Sequence, residues 1–224
     1  MVPLLLYADE FILMSESASG LQKQLYALAC FCEQRQLTVN LSKTKMVVFE
    51  TWQSDVCDFV LSGAAVERVE SYKYLGFVLH ATKKLTFGTD ALVATARKAL
   101  LAMRRCALLS IRDPALQYKL FDTLLLPILR YGCEVWGVDT KCSAAAEALH
   151  WDFLRRLLGV MKSTANHMVL AELSCFPLQV QFWQPILHYH HRTIALDNVR
   201  LVKLAMVDGF ACTRQQSKTV GSII

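Results

Sequence analysis

Hydrophobic periodicity changes character once along these 224 residues, near position 90. Before that point apolar residues come in short runs broken by polar or acidic residues. After it they recur every three or four positions in long stripes. Short runs fit strands, and stripes at that spacing fit amphipathic helices. The chain therefore reads as α+β in its first part and all-helical from about residue 90 onward. No internal repeat, low-complexity tract or long linker interrupts the pattern. The division predicted from it is 1–87, 88–212 and a patternless tail, 213–224.

Leu4 to Tyr7 and Phe11 to Met14 are apolar runs on either side of Ala8-Asp9-Glu10, as two short strands joined by an acidic turn would be. Ser17 or Ser19 can cap a helix that puts Leu21, Leu25, Leu28 and Cys32 on one face and ends near Gln36. Lys45–Phe49, Phe59–Leu61 and Tyr74–Leu79 read as strands. In the second part, Leu92, Ala96, Leu100, Met103 and Ala107 make one helical stripe. Asp113-Pro114 is a helix start, with Asp as N-cap and Pro where its missing N–H costs nothing. Leu116, Leu120, Leu124 and Ile128 continue that helix until Pro127 bends or ends it. Ser143 to Leu158 forms another, closed by Gly159. A last helix begins at Leu178 and is expected to break at Pro185.

Composition narrows the class. Hydrophobic residues at 54% and charged ones at 19% exclude disorder along the whole chain. A mean hydropathy of +0.31 means that much of the chain is core or that some apolar surface wants a partner. A net charge of +5 permits a polyanionic partner without requiring one. The eight cysteines form no CxxC pair, so they read as free thiols of a reducing compartment. Met1 to Met14 lacks the basic leader of a signal peptide and is interrupted by Asp9 and Glu10. No segment offers the roughly 20 uninterrupted apolar residues of a membrane span. The expectation is an intracellular protein of nucleus or cytoplasm, neither secreted nor membrane-bound.

The chemistry-bearing pair is Asp9 and Glu10. Adjacent carboxylates at a hairpin tip suit a hard divalent cation, which takes oxygen ligands; an acidic turn left in solvent has the same composition. The surroundings decide between them. Tyr7-Ala8-Asp9-Glu10, with its apolar flanks, resembles the YADD box of non-LTR retrotransposon reverse transcriptases. Phe31-Cys32-Glu33 through Leu37-Thr38-Val39-Asn40-Leu41-Ser42-Lys43-Thr44-Lys45 is similar to that family's next box. Tyr72-Lys73-Tyr74-Leu75-Gly76 looks like the primer grip that follows. Leu126 to Gly137 and Leu157-Leu158-Gly159-Val160 resemble stretches beyond the palm. Five boxes stand in family order over residues 1 to about 185.

That resemblance implies the C-terminal part of a reverse-transcriptase palm over 1–87 and a helical thumb-like region over 88–212. It implies RNA-directed DNA polymerisation by two-metal phosphoryl transfer, with an RNA template and DNA primer as partners and Mg²⁺ as cofactor. It makes Asp9 a metal ligand and Glu10 a second acidic position that departs from the family's Asp by one C–C bond, roughly 1.5 Å. Lys43 falls where a lysine lies near the incoming nucleotide and could donate a proton to pyrophosphate. Tyr74, Leu75 and Gly76 would support the primer end. The family's other metal-binding Asp and its fingers lie upstream, whereas only six residues precede Tyr7. The 224 residues alone are thus expected to be inactive, unless another polypeptide supplies the missing palm half. Whether Met1 is the native start stays open at this level. The alternative is a non-enzymatic nucleic-acid-binding or interaction module of retroelement origin.

Arg97, Lys98, Arg104 and Arg105 lie in a stretch without acidic residues from Ala91 to Ile111, and the pairs 97/104 and 98/105 are seven apart. The resemblance places this helix where a template–primer backbone passes, so these side chains are candidate phosphate contacts. His188, His190 and His191 lie between Cys175 and Cys212, but the spacing matches no closed zinc site, and zinc is not expected. Trp136, Trp151 and Trp183 read as helix-packing anchors.

Overall fold

The computed structural model of the chain describes residues 4–49, 58–105 and 113–207. It is α+β and divides into two compact units, Met1–Gly88 and Thr89–Ile224. The tail 213–224, Ala107 and Cys212 lie outside the described residues.

In the first unit, β1 (Leu4–Tyr7) and β2 (Glu10–Leu13) form an antiparallel hairpin with Leu4 opposite Leu13 and Tyr7 opposite Glu10. Helix α1 (Ala18–Gln34) starts at Ser17, whose Oγ accepts the Gly20 N–H at 3.1 Å. The expected face is the one that packs: Leu25 and Cys32 are buried, and Leu21 and Leu28 are half-buried. Leu25, Phe59 and Leu61 centre a small core that gathers Leu13, Val39, Met46 and Val66 around them. Gln22 holds Val60 by both main-chain groups of that residue: Nε2 donates to the Val60 carbonyl at 2.8 Å, and Oε1 accepts the Val60 N–H at 3.0 Å.

The remaining strands are short. β3 (Lys45–Met46) runs parallel to β6 (Glu67–Arg68), and β4 (Val60–Leu61) pairs antiparallel with β5 (Ala64–Ala65). The predicted strand Lys45–Phe49 thus shrinks to two paired residues. β7 (Ser71–Tyr74) and β8 (Phe77–His80) form a second tight hairpin. Here the single strand predicted over Tyr74–Leu79 is wrong. Leu75 and Gly76 have φ of +46° and +87°, so the chain reverses there in the two-residue turn with positive φ at both centres that matches strand twist. Ser62-Gly63 makes the same kind of turn, with φ of +51° and +81°. All four ladders are separate two-stranded sheets.

Among the described residues the second unit is helical. Helix α2 (Lys84–Arg105) begins in the first unit and continues into the second, burying Val93, Ala96, Leu100 and Met103. Leu92, expected in that stripe, is only half-buried. Helix α3 (Pro114–Leu124) is capped by Asp113, whose Oδ1 accepts the Ala115 N–H at 2.9 Å. Its buried face is not the predicted one. Leu116 and Leu124 are exposed, while Phe121, Leu125 and Leu129 are fully buried, because Phe121 stacks on Phe153 at 4.4 Å and turns the helix toward it. Pro127 ends α3 and opens the short α4 (Leu126–Leu129).

Gly132, at φ +68°, leads into α5 (Cys133–Trp136). Trp136 is buried, donates to the Tyr131 carbonyl at 3.0 Å and packs edge-on against Phe182. Helix α6 (Thr140–Leu158) is capped by Asp139 and closed by Gly159 at φ +68°. It starts three residues before the predicted Ser143. Helix α7 (Asn166–Leu173) precedes α8 (Leu178–Ile194). Pro185 sits inside α8 without breaking it, contrary to expectation. The buried Phe182 and Ile186 on either side hold the helix in register, and their packing offsets the hydrogen bond that proline cannot make. The five cysteines among the described residues are free thiols. No helix among the described residues is long and apolar enough to cross a membrane.

Candidate active-site hairpin and nucleic-acid face

The β1–β2 tip is a two-residue loop, Ala8-Asp9, with Ala8 at φ +53°. Asp9 therefore occupies the turn, whereas Glu10 is the first residue of β2 and faces Tyr7 across the ladder. The prediction that both acids share a turn holds only for Asp9. Both carboxylates are exposed. The hairpin is fixed to α1 where it leaves β2, by Gln24 Nε2 donating to the Met14 carbonyl at 3.0 Å. Its outer strand is almost bare: Leu6 is 70% exposed and Tyr7 64%. A strand of this composition is ordinarily buried, so this edge lacks a cover within the described residues.

Asp9 and Glu10 offer oxygen ligands of the hard type that Mg²⁺ takes, but Mg²⁺ wants six ligands in octahedral geometry. Among the described residues no group of three or more His, Cys, Asp or Glu side chains comes together anywhere. Two exposed carboxylates alone do not make such a site among the described residues. Reverse transcriptases as a family use divalent metal ions. His188, His190 and His191 lie on α8, and Cys175 lies before that helix begins.

Lys43 belongs to a turn organised by Asn40, which stands in the same family-like box but to which the sequence assigned no role. The Asn40 Oδ1 accepts the Ser42 hydroxyl at 2.7 Å and the Lys43 N–H at 3.3 Å, while its carbonyl accepts the Thr44 N–H at 3.0 Å. The Lys43 side chain is exposed. Its carbonyl accepts the Tyr72 hydroxyl at 3.4 Å. Tyr72 lies on β7, so the hairpin carrying Tyr74, Leu75 and Gly76 at its tip is tied to the Lys43 turn. Lys45 also forms an ion pair with Glu67 across the β3–β6 ladder.

On α2, Arg97, Lys98 and Arg105 are exposed and Arg104 is half-buried. Lys98 and Arg105 flank a shallow depression with Leu101 and Ala102. Burial, and then the like charge of Arg156, pull the Arg104 pKa below the ordinary guanidinium value, with Asp152 opposing. Arg156 in turn bridges Asp152 at 2.8 Å along α6. The basic surface of α2 therefore reaches α6, an extension unseen in the sequence because an Arg pair in a helix's last turn already has a reason to be there, the negative end of the helix dipole. Of the three tryptophans read as anchors, Trp136 is one, Trp183 is 43% exposed, and Trp151 is half-buried beside Arg155.

Comparison with known proteins adds descent. Residues 1–79 match the family of reverse transcriptases, RNA-dependent DNA polymerases. The chain is 31% identical over 147 residues to the probable RNA-directed DNA polymerase of transposon BS from Drosophila melanogaster, covering 60% of this chain and 16% of that one. It is 27% identical over 156 residues to an uncharacterised transposon-derived protein of Caenorhabditis elegans, covering 69% and 56%. It is 26% identical over 144 residues to the RNA-directed DNA polymerase of the mobile element jockey from Drosophila melanogaster, covering 60% and 16%. The match thus spans about a sixth of the two polymerases and just over half of the third relative. No solved structure matches the chain. The hairpin with its Asp9 tip lies within the residues that match the reverse-transcriptase family, and the chain is similar to a fragment of a non-LTR retrotransposon reverse transcriptase.

Proposed function

We propose that the chain carries the catalytic hairpin and primer-side support of a reverse-transcriptase palm, followed by a helical thumb-like unit that contacts the nucleic-acid backbone. The ancestral reaction is RNA-directed DNA synthesis by two-metal phosphoryl transfer, in which Asp9 is a metal ligand and Glu10 a displaced second acid. Lys43 sits on the nucleotide side, and Tyr74, Leu75 and Gly76 form the primer-side turn. The observation that carries this reading is the hairpin itself: an exposed aspartate at a two-residue tip, between apolar strands whose outer edge is bare. An apolar edge of that kind is explained by a further strand packing on it.

In this reading these 224 residues by themselves are expected not to polymerise DNA; the support is that among the described residues no third His, Cys, Asp or Glu side chain joins Asp9 and Glu10. A polypeptide supplying the other palm half is the partner that would complete the site. The test is incorporation of labelled deoxynucleotides on a primed RNA template with Mg²⁺. The chain alone is expected to be silent. Mixing with a palm half from a related element is expected to produce activity that Asp9→Ala removes. Synthesis by the lone chain, undiminished in Asp9→Ala, would overturn the assignment.

A second reading is supported by α2. Arg97, Lys98 and Arg105 are exposed and make no ion pair among the described residues. Such a face suits a non-enzymatic nucleic-acid-binding module, whose binding would weaken steeply with salt and with neutralisation of these residues. The two readings part at the mixing experiment, since a binding module gains no polymerase activity from a partner.

A further inference from the structure

Beside the basic end of α2 lies a shallow cavity of about 330 Å³ lined by Ala148, Trp151, Asp152, Arg155, Lys162 and Asn166. Its construction is specific. The Arg155 guanidinium lies over the Trp151 ring, 5.7 Å from the centroid. One of its amino groups donates to the Thr164 carbonyl at 3.3 Å and to Asn166 Oδ1, which pins Arg155 and joins α6 to the start of α7. The Arg155 Nε–H is buried and has no hydrogen-bond partner among the described residues. An orphaned cationic donor of that kind is costly unless an acceptor approaches it. Lys162 stands exposed at the rim. Asp152 is engaged by Arg156, so the charge left over around the cavity is positive, and Arg104 adds to it from α2.

From the ring, the held guanidinium and the free ammonium around one hollow, we infer that this cavity seats a nucleotide of a single-stranded nucleic acid, its base against Trp151 and its phosphate toward Lys162 and Arg155. An aromatic plane takes any base by stacking, and cations beside it follow the backbone; together they bind single strands with little sequence preference. An acidic protein surface would use the cations but would have no need of the ring. The inference deepens the nucleic-acid reading of α2: the strand that α2 contacts through phosphates would continue across the end of α6 and be held there by one base.

The test is binding of a fluorescent oligouridylate of about a dozen nucleotides to the 224-residue chain, followed by anisotropy from roughly 50 to 200 mM salt. Trp151→Leu is expected to weaken binding about tenfold with no change in salt dependence. Trp151→Phe, which keeps a ring, is expected to stay within about threefold of the parent. Lys162→Gln is expected to lower the salt slope by about 0.7, as the loss of one phosphate contact does on single strands. Thermal melts identify any variant that fails to fold, and the Phe and Gln variants then decide. Parent-like binding by folded Trp151→Leu overturns the pocket. If Arg97→Gln with Lys98→Gln weakens binding in that same series, the α2 reading survives the loss of the pocket. A parent chain that does not bind the oligonucleotide at low salt overturns both.

Discussion

Tyr72 donates its hydroxyl to the main-chain carbonyl of Lys43 at 3.4 Å, across 29 residues of sequence. That bond joins the turn holding Lys43 to the hairpin holding Leu75 and Gly76. A lysine read as nucleotide-side and a turn read as primer-side are therefore linked by a hydrogen bond rather than standing as independent loops. Tyr72→Phe removes only the hydroxyl. Because the bond is exposed and long, the expected loss of global stability is small, at most about 0.5 kcal/mol by urea titration. The expected local effect is larger: faster hydrogen exchange at the Lys43 and Thr44 amides, which the Asn40 turn otherwise protects. Unchanged exchange there would show that the Asn40 turn stands without Tyr72.

The Leu75-Gly76 turn carries backbone strain that can be measured. Leu75 adopts φ +46° and Gly76 φ +87°. At the first of these a side chain is already strained; at the second glycine avoids the strain. Gly76→Ala is expected to destabilise the first unit by about 1 kcal/mol, read as a lower urea midpoint with an unchanged slope. Leu75→Asn, a residue that tolerates left-handed φ better, is expected to move the midpoint the other way.

This turn also marks the limit of what the sequence discloses. Caps were legible because they are local: Ser17, Asp113-Pro114 and Gly159 each act through groups within four residues. The leucine in Leu-Gly gives no hint of positive φ, so Tyr74–Leu79 looks like one apolar strand until the ladder Tyr74–Phe77 is seen. The buried face of α3 depends on Phe121 stacking with Phe153, a partner 32 positions away that periodicity cannot supply. Pro185 tolerates a helix because of packing that is tertiary. In the candidate site the carboxylates and Lys43 were legible as residue types in family order, and the basic helix as a seven-residue spacing in a stretch without acids. The Asn40 turn, the Tyr72 tether and the Trp151 hollow were not, since each is a product of distance in space.

The bare edge of β1 is expected to drive self-association. Leu4, Leu5 and Leu6 are 45%, 36% and 70% exposed on a strand whose outer main chain is unpaired among the described residues. Leu6→Lys places a charge on the most exposed of them. Sedimentation at increasing concentration is expected to give more monomer for Leu6→Lys than for the parent, at equal melting temperature. If association is unchanged, another face is responsible, and the exposed Trp183 and Leu187 on α8 are next to test.

His150 sets a pH dependence on the helical unit. It is 2% exposed, lies 5.3 Å from the Phe121 ring, and its Nδ1 has no hydrogen-bond partner among the described residues. Burial lowers its pKa from 6.5 to about 4. The unfolded chain therefore binds a proton near pH 6.5 that the folded chain refuses until about pH 4. Between those values the unfolded state holds more protons, so stability rises with pH. It is complete above the upper value and is lost as pH falls toward the lower, by about 3 kcal/mol in all. Glu147, one helical turn earlier, works in the opposite sense, because burial raises its pKa and disfavours its charged form in the fold. His150→Leu keeps an apolar side chain in the site, removes the orphaned nitrogen and leaves Glu147 in place. Urea midpoints at a series of pH values are expected to fall toward acid in the parent and to flatten or reverse in His150→Leu. Parallel curves for the two proteins would mean that His150 gains a proton in the fold as easily as it does in water.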